Sequence, residues 1–194
     1  MLQKETLYFI AIIPPAEICD EITTFKEDFA DLYSCRAALK LIPHITLKAP
    51  FKLSPAHHPR LLEWFHSLEL PVDKFEIELK DFGVFPKKIS PVIYVRVLMN
   101  EGLQQLQLSI INAFRKTFPG ARIGGTELNF SAHLTIAYRD LKPEDFSSAW
   151  AAYQHKKYDA NFTVADFHLL QHDEKKWNVI GTYSLAGFKN NNAS

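Results

Sequence analysis

Cysteine is scarce in this chain of 194 residues, which contains only Cys19 and Cys35. The two form neither a Cys-x-x-Cys pair nor a cluster with histidine, so the sequence predicts no disulfide scaffold and no zinc site of that type. A chain of this length buries roughly 70% of its unfolded surface, so it needs no disulfide to fold. We expect both cysteines to be packing residues of a cytoplasmic protein.

An excess of charge is also lacking, because 22 Lys and Arg balance 22 Asp and Glu. This neutrality argues against a protein that follows a long nucleic-acid backbone, which requires a cationic surplus. No apolar run approaches the roughly 18 residues that span a bilayer. The run from Leu7 to Ile13 leads into Pro14-Pro15 without a small-residue cleavage site. We predict that it is a buried strand and that the protein does not bind membranes.

Glycine-rich phosphate loops are missing as well. Gly124-Gly125 lies in neither a GxxxxGK[ST] nor a GxGxxG pattern and predicts a turn. Lys87-Lys88, next to Pro86, predicts an exposed hairpin with at most a weak contact to an RNA backbone. We expect the polar segment 190–194 to fray.

Apolar spacing predicts helices alternating with strands. Ile18, Ile22, Phe25, Phe29 and Leu32 recur at intervals of three and four residues, as on one face of a helix. The same reasoning predicts helices over 55–68, 103–114 and 143–153, and strands over 7–13, 45–53, 75–79, 92–98, 134–138, 162–170 and 179–185.

The order of these elements starts again near the middle of the chain, which predicts a duplicated unit spanning about 5–90 and 91–188. Spacings agree, since 31 residues separate His44 from Phe75 and 29 separate His133 from Phe162. We therefore predict an α+β fold formed by one two-lobed domain over 1–194. Two antiparallel sheets flanked by helices would enclose a central cleft, with strands free to exchange between lobes.

One short motif is present in both halves. The first motif is His44-Ile45-Thr46-Leu47 and the second is His133-Leu134-Thr135-Ile136, so both read His-aliphatic-Thr-aliphatic. Composition alone predicts only about 0.4 His-x-Thr matches in the chain. Two matches at equivalent places in a repeat favour a shared function over chance.

Strand geometry gives the motifs a chemical meaning. Side chains alternate along a strand, so each histidine shares a face with its threonine while the aliphatic residues anchor in the core. Two such strands across a cleft would place one imidazole on each side of a bound phosphodiester. One imidazole would accept a proton and the other donate one, while the threonine hydroxyls hold the phosphoryl oxygens.

The paired motifs in a duplicated α+β chain resemble the 2H (two-histidine) phosphoesterase superfamily, and 43–51 (Pro-His-Ile-Thr-Leu-Lys-Ala-Pro-Phe) resembles its bacterial branch of 2′-5′ RNA ligase-like proteins and cyclic phosphodiesterases. Members act on 2′,3′-cyclic phosphates, 2′-5′ linkages or ADP-ribose cyclic phosphate. The resemblance implies that His44 and His133 are the acid–base pair and that Thr46 and Thr135 hold the phosphate. It does not identify the base.

Five flanking residues are further candidates for substrate binding. Lys48 and Arg139 are in phase with the motif histidines if their strands stay regular. Each would bind a phosphate or a ribose-linked charge, and the alternative for each is a solvated charge at a strand end. Phe51, Phe85 and Tyr138 would stack on a base or ribose at the rim, although core packing is the alternative for each.

These residues predict an enzyme without a cofactor or metal, acting as a monomer on a nucleotide or RNA end. Two alternatives stay open, a binding module that keeps the cleft without turnover and a metal hydrolase. His168 and His172 lie four residues apart, but on a strand that spacing is about 13 Å, too far for one ion.

Overall fold

The structure is a computed structural model that describes residues 4–86, 89 and 91–186, so the predictions for Lys87-Lys88 and for 190–194 fall outside it. Eight strands and five helices alternate within the described residues. The strands are β1 (Thr6–Ile12), β2 (Ile45–Leu53), β3 (Phe75–Phe85), β4 (Val92–Val97), β5 (His133–Ala137), β6 (Asp159–Val164), β7 (Asp166–His172) and β8 (Trp177–Ser184). The helices are α1 (Ala16–Tyr33), α2 (His58–His66), α3 (Glu101–Thr117), α4 (Gly125–Leu128) and α5 (Pro143–Tyr153), with 3₁₀ turns at Ala37–Lys40 and Pro55–His57.

The eight strands form a sheet in the order β6-β3-β4-β5-β2-β1-β7-β8, and every pair of neighbours is antiparallel. This confirms the predicted α+β class. The two central strands, β5 and β2, are paired through only one residue pair, Ile45 with Leu134. The two predicted sheets are therefore four-stranded halves that meet at the two motif strands.

Each half of the sheet contains strands from both halves of the sequence. β7 and β8 join β1 and β2 in one half, while β3 joins β4, β5 and β6 in the other. The helices also cross over, because α1 follows β1 but packs on β5, and α3 follows β4 but packs on β2. Both motif strands are thus supported by a helix that belongs to the opposite half of the sequence.

Three local predictions need correction. The single strand predicted over 162–170 is two strands broken at Ala165, because β6 pairs with β3 in one half while β7 pairs with β1 in the other. Leu32 is 69% exposed, so it does not belong to the apolar face of α1. Gly125 begins the short helix α4 rather than forming only a turn.

A continuous apolar core lies between the sheet and the helices that pack on it. Ile45, Leu134 and Ile136 in the motif strands are fully buried in it, together with Phe114 of α3. Burial of these aliphatic residues holds both strands in a fixed register, since a slip by one residue would expose them. Among the residues described, no helix is long and apolar enough to cross a membrane.

Candidate active site

The two motifs lie side by side at the centre of the sheet. His44 directly precedes β2, and His133 is the first residue of β5. Because Ile45 pairs with Leu134 in an antiparallel register, His44 lies across from Thr135, and Thr46 lies across from His133. Each histidine therefore faces the threonine of the other motif on the surface opposite the buried aliphatic residues.

Both imidazoles are oriented by the same backbone contact. Nδ1 of His44 is 2.7 Å from the carbonyl oxygen of Ile42, and Nδ1 of His133 is 2.8 Å from that of Ser131. A carbonyl oxygen only accepts, so Nδ1 carries the hydrogen in both rings. The neutral form of each ring consequently has its basic lone pair on Nε2.

His44 also lies close to a buried cation, Lys26 of α1. The Lys26 side chain is 2% exposed, and its Nζ donates to the carbonyl oxygen of Leu41 at 2.8 Å. Lys26, His44, Thr135 and Tyr138 together line a small cavity of about 10 Å³. The buried ammonium group of Lys26 is therefore hydrogen-bonded to the residue next to Ile42, whose carbonyl orients His44.

The pKa of His44 is lowered to about 4, chiefly by burial and also by the positive charges of Lys26 and His133, while the Ile42 carbonyl opposes the shift. Burial likewise lowers the pKa of Lys26 to about 8. His44 is thus neutral at pH 7, with Nε2 available as a base.

A cavity of about 310 Å³ opens on the His44 side, and we call it the cationic cavity. Four cationic side chains line it, and Trp177 and Phe9 form an aromatic wall with ring centroids 4.5 Å apart. Its lining residues are Phe9, Ala37, Lys40, Leu41, His44, Thr46, Pro50, Tyr138, Arg139, His172, Lys175, Lys176 and Trp177.

A second cavity, of about 420 Å³, opens on the His133 side, and we call it the apolar cavity. The Phe85 ring meets His133 edge to face with centroids 5.0 Å apart. Thr46, Pro50 and Tyr138 line both cavities, so the two meet beside the motif strands. The remaining lining residues are Leu47, Ala49, Phe85, Val92, Thr126, Glu127, Asn129, Phe130, Ser131, His133 and Thr135.

Three of the five flanking candidates lie at these cavities. Arg139 lines the cationic cavity, Phe85 lines the apolar cavity, and Tyr138 lines both. The Arg139 guanidinium is 5.2 Å from the centroid of the Tyr138 ring. A cation and an aromatic ring therefore lie side by side at the cationic cavity.

The other two candidates, Lys48 and Phe51, line neither cavity. Lys48 is 1% exposed, and its Nζ lies 2.6 Å from Oε1 of Glu127. Ile10 of β1 pairs with Lys48 while Ala11 pairs with Thr46, so Leu47 is an extra residue that shifts the alternation. Lys48 consequently points into the core, where Phe51 packs against Phe114.

Lys26, Lys40, His172, Lys175, Lys176 and Trp177 lie at the site but were not predicted. Lys26 falls at a helical position between Phe25 and Phe29, where sequence alone suggests a solvated charge. The β7–β8 hairpin contains Lys175, Lys176 and Trp177. Its place beside β1 depends on the order of the strands in the sheet. The one available signal was the adjacent pair Lys175-Lys176 next to an aromatic residue.

The described residues contain no group of three or more His, Cys, Asp and Glu side chains that would hold a metal ion. His168 contacts Asp166 at 3.1 Å and also Thr182, whereas His172 lines the cationic cavity. These two histidines therefore have separate environments.

Two His-x-Thr motifs on adjacent strands define the class of site, and comparison with known proteins agrees. The model of the 2′-5′ RNA ligase superfamily matches residues 14–176. The chain belongs to this superfamily.

Its relatives include candidate phosphoesterases of Staphylococcus saprophyticus and Geobacillus thermodenitrificans. The first is 27% identical over 91% of this chain and 98% of its own length, and the second is 25% identical over 93% and 96%. The crystal structure of E. coli LigT complexed with 3′-AMP is similar, with a TM-score of 0.68, 20% identity and coverage of 94% of this chain and 99% of that one. TT0787 of Thermus thermophilus has a TM-score of 0.63, 18% identity and coverage of 94% and 100%. These structures share the fold.

Proposed function

We propose that this protein is a metal-independent phosphodiesterase that hydrolyses, or in reverse forms, a 2′,3′-cyclic or 2′-5′ phosphodiester of a nucleotide or RNA end. The observation that carries the proposal is the register at the centre of the sheet, where each motif histidine faces the threonine of the other motif. Membership of the superfamily and the phosphoesterase names of the relatives support it. So does the 3′-AMP held by E. coli LigT, which has the same fold.

His44 acts as the general base in the hydrolytic direction. Its Nε2 takes a proton from the attacking water as the new P–O bond forms, which requires a neutral imidazole. Burial and the nearby Lys26 charge favour that neutral form, and the Ile42 carbonyl keeps Nε2 directed away from the backbone.

His133 acts as the general acid. As the P–O bond to the leaving ribose oxygen breaks, His133 gives its Nε2 proton to that oxygen, and the product is a phosphomonoester. Microscopic reversibility exchanges the two roles when the diester is formed. Proton exchange with solvent then restores both rings.

The threonines stabilise the charge that develops on the phosphoryl group. Thr46 and Thr135 lie opposite the histidines, so their hydroxyls would donate to the two non-bridging oxygens. The apolar cavity, with Phe85 and Phe130 in its wall, would hold the base of the nucleotide whose phosphate reacts.

The decisive test is a panel of 2′,3′-cyclic nucleotides, 2′-5′ dinucleotides and ADP-ribose cyclic phosphate, assayed by chromatography of the products with and without EDTA. We expect turnover of at least one compound, undiminished by EDTA. The H44A/H133A double variant should show no turnover. H155A is the matched control, because His155 is exposed and lines neither cavity.

Each other outcome rejects a part of the proposal. Binding of the panel without any product identifies a binding module. Loss of turnover in EDTA that zinc or magnesium restores identifies a metal hydrolase. Turnover retained by the double variant contradicts the two-histidine mechanism.

A further inference from the structure

The cationic cavity concentrates positive charge in a chain whose net charge is zero. Lys40 comes from the 3₁₀ turn after α1, Arg139 from the end of β5, and Lys175 and Lys176 from the β7–β8 hairpin. No carboxylate lines the cavity, and none of the four cations forms an ion pair within the described residues. Three separate segments thus bring their cations to one place.

Three carboxylates lie close to these cations in the sequence. Glu174 pairs with Lys4 at 2.7 Å, and Asp140 and Asp173 hold the backbone of the cavity wall. Asp140, next to Arg139, accepts hydrogen bonds from the backbone N–H groups of Arg36 and Ala37, each at 2.9 Å. This contact fixes the start of the 3₁₀ turn that carries Lys40. Arg139 itself has φ 61°, a left-handed conformation that is strained for a residue other than glycine.

Asp173 does the same for the β7–β8 hairpin. Its Oδ1 accepts from the backbone N–H groups of Lys175 and Lys176 at 2.9 and 2.8 Å, and Oδ2 accepts from Asn178. Both carboxylates therefore hold the backbone under the cations, while the cationic side chains remain directed to the cavity.

A line of rings connects this charge to the reaction centre. The centroids of His172 and Trp177 are 5.0 Å apart, those of Trp177 and Phe9 are 4.5 Å apart, and those of Phe9 and His44 are 4.9 Å apart. An aromatic, partly apolar wall beside four cations suits a ribose or base that carries a phosphate.

We infer that the cationic cavity binds a second phosphate of the substrate, one ribose away from the phosphate that reacts. This inference rests on the proposed function, because it places the reacting phosphate at His44 and His133. It assigns the substrate class as an oligonucleotide end or a pyrophosphate-linked nucleotide rather than a cyclic mononucleotide. Lys40, Arg139, Lys175 and Lys176 hold the second phosphate, and Trp177 stacks on the group that bears it.

The test compares substrates that differ in the second phosphate. Adenosine 2′,3′-cyclic phosphate lacks it, a dinucleotide with a 2′,3′-cyclic end has it in an RNA linkage, and ADP-ribose cyclic phosphate has it as a pyrophosphate. The wild type is compared with K175Q/K176Q. The charge-matched control is K116Q/K142Q, because Lys116 and Lys142 are exposed and line neither cavity.

We expect kcat/KM for one of the two longer substrates to exceed that of the mononucleotide by about 10- to 100-fold in the wild type. That ratio should fall about tenfold in K175Q/K176Q, through KM, and should not change in K116Q/K142Q. The substrate whose ratio falls distinguishes an RNA end from a pyrophosphate-linked nucleotide. An unchanged ratio for both overturns the inference.

A binding measurement separates this inference from the proposed function. The product dinucleotide with a terminal 3′-phosphate is titrated against the fluorescence of Trp177, with W177F to identify its signal. If K175Q/K176Q loses more affinity for the dinucleotide than for 3′-AMP, the result supports the second-phosphate site even if no compound is turned over. Equal loss for both ligands, or no loss, overturns it even if the enzyme is active.

Discussion

The first and second motifs have the same backbone geometry and different surroundings. In both, Nδ1 of the histidine contacts the carbonyl oxygen two residues earlier, at 2.7 and 2.8 Å. Around His44 lie the buried Lys26 and the ring of Phe9, whereas around His133 lie the rings of Phe85 and Tyr94, with centroids 5.0 and 5.2 Å away.

This difference indicates how two copies of one motif come to have unequal imidazoles. The strands supply two equivalent imidazoles, and the elements that pack on them make these imidazoles unequal. A buried ammonium group beside one ring disfavours its protonated form, and an aromatic pair beside the other adds no charge. Under the proposed mechanism, the base is the histidine next to Lys26.

The largest expected effect comes from removing either imidazole. H44A and H133A should each lower kcat by about 10²- to 10⁴-fold, the usual contribution of general acid–base catalysis. The two variants should differ in their pH–rate profiles, because H44A should lose the acidic limb and H133A the alkaline limb. Circular dichroism and thermal melting check that both variants fold, and near-normal turnover by either would contradict the mechanism.

Loss of a threonine hydroxyl should be the next largest effect. T46V and T135V keep the volume but remove one donor to a non-bridging oxygen, so we expect a loss of about 10²- to 10³-fold in kcat. If the two motifs are equivalent at the phosphate, the losses should agree within about threefold. A loss confined to KM would instead assign the hydroxyls to ground-state binding.

A third prediction concerns the stability of the frame shared by the motifs. The buried pair of Lys48 in β2 and Glu127 in α4 ties the first motif strand to the segment before the second. E127Q leaves the Lys48 charge buried without its partner, which should lower the free energy of unfolding by about 3–5 kcal/mol. Urea denaturation measures this loss, and K48M/E127L should recover most of it.

The smallest expected effect is on pH dependence. The folded pKa of His44, about 4, lies below its ordinary value of 6.5, so protonation of His44 opposes folding and removes the base as pH falls. K26M removes one cause of that depression. The acidic limb of kcat should therefore move to higher pH, with activity at pH 5 lower by about three- to fivefold and little change at pH 8.

The shift of the acidic limb is what separates an electrostatic role of Lys26 from a structural one. A loss of kcat that is equal at all pH values would mean that Lys26 only supports the Leu41 segment. K26R, which keeps the charge, should keep the acidic limb near its original position. In wild type, the stability linked to His44 should be complete above pH 6.5 and decline toward pH 4.

Much of the fold could be predicted from apolar periodicity. The helix from Ala16 and the strands of both motifs follow from local spacing, because the buried residues of an element repeat with its own period. The two strands β6 and β7 could not be separated, because no glycine or proline marks a break between them and their division depends on which partner each one pairs with.

The candidate site divides in the same way. His44, Thr46, His133 and Thr135 were predicted because a repeated tetrapeptide is visible in the sequence. Lys48 was expected at the site, but one extra residue in β2 turns it into the core. Trp177 was not predicted, because only the pairing of β7 with β1 brings its hairpin to Phe9.

The sequence alone determined two strands, each with one histidine and one threonine on the same face, because alternation along a strand is a local property. Only the tertiary structure decided that the strands meet at Ile45 and Leu134, that Lys26 lies beside one histidine, and that four cations converge on one cavity. Those features depend on contacts between residues distant in the chain. The burial and the charges that distinguish one histidine from the other arise when the two halves of the sequence interleave.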